Sequence, residues 1–181
     1  MNTKTYYKIG ITGHRDLLPS QKEENLIILK GYLLKIKREH PKKKLLILTP
    51  LADGADRLIC QVALELGFDY DVILPMPKEL YTKDFSKTSQ EEFKHYLKYA
   101  RKIQTINLYA GNTLELISNY SIFRNFQYRQ VGRTIVDMAD EMIIMSDGIQ
   151  NNKIGGTQDI ANYAKSYGTI LYKVQCGRLC A

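Results

Sequence analysis

Three glycine-bearing stretches carry the residues best suited to chemistry. Gly13-His14-Arg15-Asp16 closes a short apolar run. Its glycine allows a tight turn, and His14 and Arg15 offer donors to an anion or a ribose. In Thr49-Pro50-Leu51-Ala52-Asp53-Gly54-Ala55-Asp56-Arg57, Gly54 and Ala55 keep the backbone bare where a helix should begin. A helix amino end presents unpaired N–H groups and partial positive charge, and so receives phosphate or carboxylate. Asp56 and Arg57 add a carboxylate and a cation, although Asp56 is also readable as a plain N-cap beside an exposed arginine. The third stretch is Ser146-Asp147-Gly148, then a polar insertion, then Gly155-Gly156-Thr157. Two glycines before a threonine that opens a helix have the form of a phosphate cradle, with the hydroxyl as an added donor. They match neither the Walker loop nor G-x-G-x-x-G, and a bare turn is the alternative.

Two further segments could join such a site. Pro75 to Phe85 is long enough for a lid and carries Glu79, Tyr81 and Asp84, any of which could face a ligand; a solvated connector is the plainer reading. Upstream of Ser146, Arg129 and Arg133 are four apart and share a helix face with Gly132 between them, so they could reach an anion together. Arg133 and Asp137 are also four apart and could instead form a surface ion pair.

These stretches all sit between segments of clear periodicity. Tyr6–Thr12, Leu45–Leu48, Asp71–Leu74 and Glu141–Met145 are short apolar runs that read as buried strands, with a weaker one at Ile103–Leu108 and a last one at Thr169–Lys173. Between them lie helical stripes: Gln21–Glu39 with a Ser20/Glu23 capping box and Pro41 beyond, Leu58–Leu66 ending at Gly67, Ser89–Arg101, Ile122–Ala139 and Thr157–Tyr167. The segment Gly111–Asn119 has no clear period. Strand and helix alternate throughout, which predicts right-handed crossovers: an α/β, Rossmann-like three-layer α/β/α sandwich with a mainly parallel sheet. In such sheets ligands bind beyond the carboxyl ends of the strands, where the glycine stretches fall.

Composition narrows the class. The chain has 181 residues, 44% hydrophobic and 25% charged, with 12 Gly and 5 Pro, which excludes disordered and collagen-like folds and suits one domain. Charge interrupts each apolar block well before the roughly 18 residues of a membrane span. Met1-Asn2-Thr3-Lys4-Thr5 does not open a signal peptide, so the expected location is the cytoplasm. Cys60, Cys176 and Cys180 are too few for a disulfide framework, and residues 176–181 read as a frayed tail after a single domain over 1–175. No metal set and no cofactor is expected. The formal charge is +7. Lys35, Lys37, Arg38, Lys42, Lys43 and Lys44 stand against Glu39 alone, where a helix ends; such cations complement the macrodipole better than they make a nucleic-acid footprint.

Together the motifs resemble the SLOG superfamily, the Rossmann-like group of the Lonely Guy phosphoribohydrolases and the DNA-processing protein A fold. The matching pieces are Ile9-Gly10-Ile11-Thr12-Gly13-His14-Arg15-Asp16, Pro50 to Arg57, Leu74-Pro75-Met76-Pro77 with Tyr81 and Asp84-Phe85, Gly132-Arg133 with Val136-Asp137, and Gly155-Gly156-Thr157. They span nearly the whole chain and leave no fused domain in it. The resemblance is nearest to bacterial modules for sensing nucleotides or nucleotide-derived messengers. It implies a ligand site built from Gly13, His14, Arg15, Gly54, Ala55, Asp56, Arg57, Arg133, Asp147, Gly148, Gly155, Gly156 and Thr157. The alternative is a phosphoribohydrolase-like N-glycosidase acting on a nucleoside monophosphate, with Asp56, Arg133 and Asp159 as candidate catalytic residues. Lonely Guy enzymes carry Pro-Gly-Gly-x-Gly-Thr-x-x-Glu, whereas Ile160 stands here in place of the carboxylate. Asp159 comes one residue early, about 100° around the helix. Single-stranded nucleic acid is a weaker third reading, drawn from the charge and 13 Tyr; no membrane partner is expected, and a homo-oligomer is possible.

Overall fold

The computed structural model describes residues 5–179. Six strands, β1 (Tyr6–Gly13), β2 (Lys44–Thr49), β3 (Asp69–Leu74), β4 (Lys102–Thr105), β5 (Glu141–Ser146) and β6 (Ile170–Gln175), form one sheet in the order β4-β3-β2-β1-β5-β6. Every pair is parallel. Six helices connect them: α1 (Lys22–Glu39), α2 (Ala55–Leu66), α3 (Lys78–Tyr81), α4 (Lys87–Tyr99), α5 (Ile122–Met138) and α6 (Thr157–Tyr167).

Each central strand is apolar on both faces, and its period of two sorts the side chains into two cores. Ile9, Ile11, Leu45, Ile47, Val72 and Ile143 face α1, α2 and Phe93 of α4. Leu46, Leu48, Ile73, Met142 and Ile144 face Val131 and Ile135 of α5 and Ile160 and Ala164 of α6. The three-layer sandwich and parallel sheet expected from the alternation are therefore present. The order reverses at β1, whose neighbours are β2 on one side and β5 on the other, and a crevice opens at such a switch point.

Four local expectations need correction. The Ser20/Glu23 capping box does not form: Pro19 starts a 3-10 turn over Pro19–Gln21 that runs into α1, and no side chain caps that helix. Asp56 is not an N-cap, because that place belongs to Gly54. β4 covers only Lys102–Thr105, since Asn107 turns away to give its carbonyl to the Gln127 side-chain amide. Residues 176–179 are not frayed. Cys176 is buried, Leu179 N–H donates to Asp16 C=O at 2.8 Å, and the Arg178 guanidinium holds the Asp16 carboxylate at 3.0 Å. Cys180 and the first four residues, which carry part of the reading of the amino terminus, lie outside the described residues. Among the described residues, no helix is long and apolar enough to cross a membrane.

Candidate functional site

A cleft of about 470 Å³ lies beyond the carboxyl ends of the strands at the β1/β5 switch point. Of the residues singled out in the sequence, Gly13, His14, Arg15, Asp56, Gly155, Gly156 and Thr157 line it. Gly54, Ala55, Arg57, Arg133, Asp147 and Gly148 do not; they stand behind it or outside it.

The amino end of α2 is a packing joint. Ala55 N–H donates to His14 C=O at 3.1 Å, and Arg57 and Leu58 N–H both return to Gly54 C=O, so few amides are left for a guest. Gly54 has φ +71°, and a Cβ there would lie 2.4 Å from the His14 carbonyl oxygen and 2.5 Å from that of Arg15. Gly13 meets the same joint from the other side, its missing Cβ replaced by Ala55 Cβ at 2.4 Å. The two glycines let α2 and the β1 loop touch backbone to backbone. The Arg57 guanidinium points away from the cleft, 2.7 Å from Asp53 and 2.7 Å from Glu92, and lies over the Phe85 ring.

Asp56, by contrast, is turned into the cleft floor although only 4% exposed. Its carboxyl accepts the Ala52 N–H at 2.9 Å. Burial pushes the acid up to about 7, against the pull of that hydrogen bond and of the Arg15 charge. Next to it in the lining is Tyr81, 1% exposed, its ring packed edge-on against Phe85 and Phe93.

The amino end of α6 is open. No side chain caps it, and Gly156 is its N-cap at the cleft wall. The amides of Thr157, Gln158 and Asp159 belong to the first turn, which has no intrahelical acceptors. Gly155, at φ +71°, lies against the Asn125 carbonyl and Arg129 amide of α5, so the turn sits directly on that helix. The Asp159 carboxylate is already engaged, accepting Gly155 N–H at 2.8 Å and the Arg129 guanidinium at 2.7 Å. Arg129 and Arg133 therefore do not form a joint anion clamp. Arg133 stacks over Tyr163 instead, and Asp137 accepts the Tyr163 hydroxyl rather than pairing with Arg133. Gly132 serves helix packing, since a Cβ there would collide with Ile160 at 2.5 Å.

His14 Nε2 stands 3.0 Å from both the Asp147 amide and the Asp147 carboxylate. A neutral ring accepts from the amide; a protonated one would donate to the carboxylate. The Ile149 amide bonded to that carboxylate holds Asp147 below the usual range for an acid. This contact ties the β1 loop to the β5 loop, with His14 N–H to Met145 C=O at 3.1 Å beside it.

Sequence reasoning missed the roof. Arg124 of α5 is 1% exposed and donates to Leu80 C=O at 2.7 Å, to Ile117 C=O and to Asp84 at 2.9 Å; Tyr128 also donates to Asp84. Nothing local in the sequence marks that arginine, because its partners lie on two other loops. Asn125, Lys153 and Arg178 line the cleft and were likewise unmarked. Among the described residues, no group of three or more His, Cys, Asp or Glu is placed to hold a metal ion.

No family model and no curated protein matches the chain. Solved structures do. DNA processing protein A from Streptococcus pneumoniae superposes with a TM-score of 0.61 at 14% identity, over 97% of this chain and 52% of that one. DNA processing protein A from Helicobacter pylori, described for its single-stranded DNA binding mode, gives 0.56 at 15% identity, over 96% of this chain and 67% of that one. The chain spans about half the length of the first of these proteins. Its strand order, its switch-point cleft and these superpositions agree: the chain has a Rossmann-like fold similar to that of DNA processing protein A.

Proposed function

We propose that the chain binds a nucleotide or nucleotide-derived ligand in this cleft and serves as a cytoplasmic sensing or signalling module. The observation that carries the reading is the uncapped amino end of α6 opening onto the switch-point crevice. A phosphate placed there receives the first-turn amides and the favourable end of the helix dipole. Arg15 and Lys153 are exposed cations on the same lining, and neither is in an ion pair among the described residues. Isothermal titration with adenosine and guanosine mono- and diphosphates tests it, using Thr157→Asp as the variant. Asp is well tolerated in a helix first turn, so folding persists while the new carboxylate repels phosphate. Affinity should fall at least tenfold; wild-type protein that binds none of the four nucleotides, or a variant that binds as wild type does, overturns the reading.

One observation favours a second reading, cleavage of a nucleoside monophosphate. A buried acid that still carries a proton near neutrality, as Asp56 does, can protonate a leaving group. Asp159 and Arg133 have other engagements, so the role would fall to Asp56 alone. Release of ribose 5-phosphate that disappears in Asp56→Asn would establish it. Nucleic-acid binding draws less support. The basic run from Lys35 to Lys44 lies where α1 ends and β2 starts, at the amino ends of the strands and opposite the cleft. Lys37 there donates to the Lys43 carbonyl at 2.9 Å.

A further inference from the structure

One end of the sheet combines an open strand edge with a groove. β4 pairs with β3 alone, so its outer edge is unpaired among the described residues. The register sets Ile103 opposite Val72, on the face that α4 covers, and sets Lys102 and Gln104 on the other face. On the Ile103 side runs a groove of about 490 Å³ that shares no lining residue with the switch-point cleft. Phe93, Leu97 and Ile103 give it an apolar lining, and Lys78, Lys94 and Lys98 stand around it against Glu79 alone. Lys94 shares its charge with Glu91 in a surface pair at 2.7 Å, which is worth little, whereas Lys78 and Lys98 are in no ion pair among the described residues. Gln90 braces the groove. Its side-chain amide donates to the Thr82 and Phe85 carbonyls, each at 3.1 Å, and so ties α4 to the turn after α3.

We propose that the β4 edge and this groove form a docking site for an acidic, extended segment of a partner protein, which adds a seventh strand to the sheet. An open edge offers N–H and C=O groups to an incoming strand, and a neighbouring pocket reads its alternate side chains. The period of two then fixes the chemistry of the segment. Alternate residues are apolar and lie beside Ile103 over the groove, the residues between them are acidic and lie beside Lys102, and acids at the ends of the segment meet Lys78 and Lys98. A second copy of this chain is disfavoured at the same place. A lysine on a short edge strand repels its own copy, and the chain as a whole carries +7. Those charges attract an acidic segment and speed its encounter.

Fluorescence anisotropy with labelled Glu-Val-Glu-Ile-Glu-Val-Glu tests the site, with Lys-Val-Lys-Ile-Lys-Val-Lys as the charge-reversed control. The acidic peptide should bind at least tenfold more tightly than the control. Ile103 is 48% exposed and Lys98 is on the surface, so Ile103→Glu and Lys98→Glu should fold, and each should weaken binding at least fivefold. Only every second amide of an added strand faces β4. Of two peptides N-methylated on alternate residues, one should therefore lose at least tenfold in affinity and the other much less. Equal affinities of the two methylated forms overturn strand addition. Binding weaker than about 1 mM, or binding that neither Ile103→Glu nor Lys98→Glu reduces, overturns the site. Self-association in sedimentation velocity that Ile103→Glu abolishes would give the edge to a second copy and overturn the peptide as its occupant.

Discussion

The amino ends of α2 and α6 look alike in sequence, each with glycine just before a helix at the end of a strand, and they do opposite things. At α2 the amides return to Gly54 and His14 carbonyls, and the glycine is needed because two carbonyl oxygens occupy the space of a side chain. At α6 no side chain caps the helix, and its first turn faces the cleft. A glycine before a helix is therefore not evidence of an anion site; where the amides go is.

Replacing the glycine at each end gives the sharpest contrast. Gly54→Ala forces a positive φ on alanine and drives its Cβ into backbone, with an expected loss of about 3 to 5 kcal/mol in urea unfolding. A loss under about 1 kcal/mol would break the comparison. The second effect is a pH dependence peculiar to the α2 end. The folded state holds a proton on Asp56 up to about pH 7, whereas the unfolded chain releases it near 3.8. Because the folded value is raised, that stability is complete below the unfolded value and disappears as pH climbs through the folded one. Relative to Asp56→Asn, wild-type protein should lose about 3 kcal/mol of unfolding free energy between pH 5 and pH 8. Parallel pH profiles for the two proteins would refute the assignment. Third, Thr157→Asp should weaken nucleotide binding by tenfold or more, about 1.4 kcal/mol, with the thermal midpoint of the ligand-free protein little changed. Smallest is Gly156→Ala: its Cβ comes 3.1 Å from the Lys153 carbonyl oxygen at an ordinary φ, so a cost under about 1 kcal/mol is expected from the same denaturation assay.

The layers were legible because burial on both faces of a parallel sheet writes continuous apolar runs, and amphipathic helices write their own spacing. α6 was read with both ends right, Thr157 to Tyr167, because glycines bracket it. α1 was read to its correct end, Glu39, but one residue early at its start, since a proline-led turn replaced the capping box. Gly13, His14 and Arg15 line the cleft, where strand-end topology alone puts them; Arg133 does not. Four-residue spacing says which residues share a helix face but not what that face meets, and here it meets Tyr163. Tyr81 and Asp84 could be noticed as polar groups in a loop. Asp84 and the Leu80 carbonyl beside Tyr81 are held by Arg124, about forty residues away, and no local pattern encodes that pairing.

That arginine also governs how the cleft can admit a guest. One buried guanidinium fastens Leu80, Asp84 and Ile117 to α5, so the canopy is a single plate riveted at its centre. Lifting one flap would strand a desolvated charge, which costs several kcal/mol. A ligand of the kind proposed would therefore enter past Arg15 and Lys153 at the rim, into a mouth already shaped before it arrives.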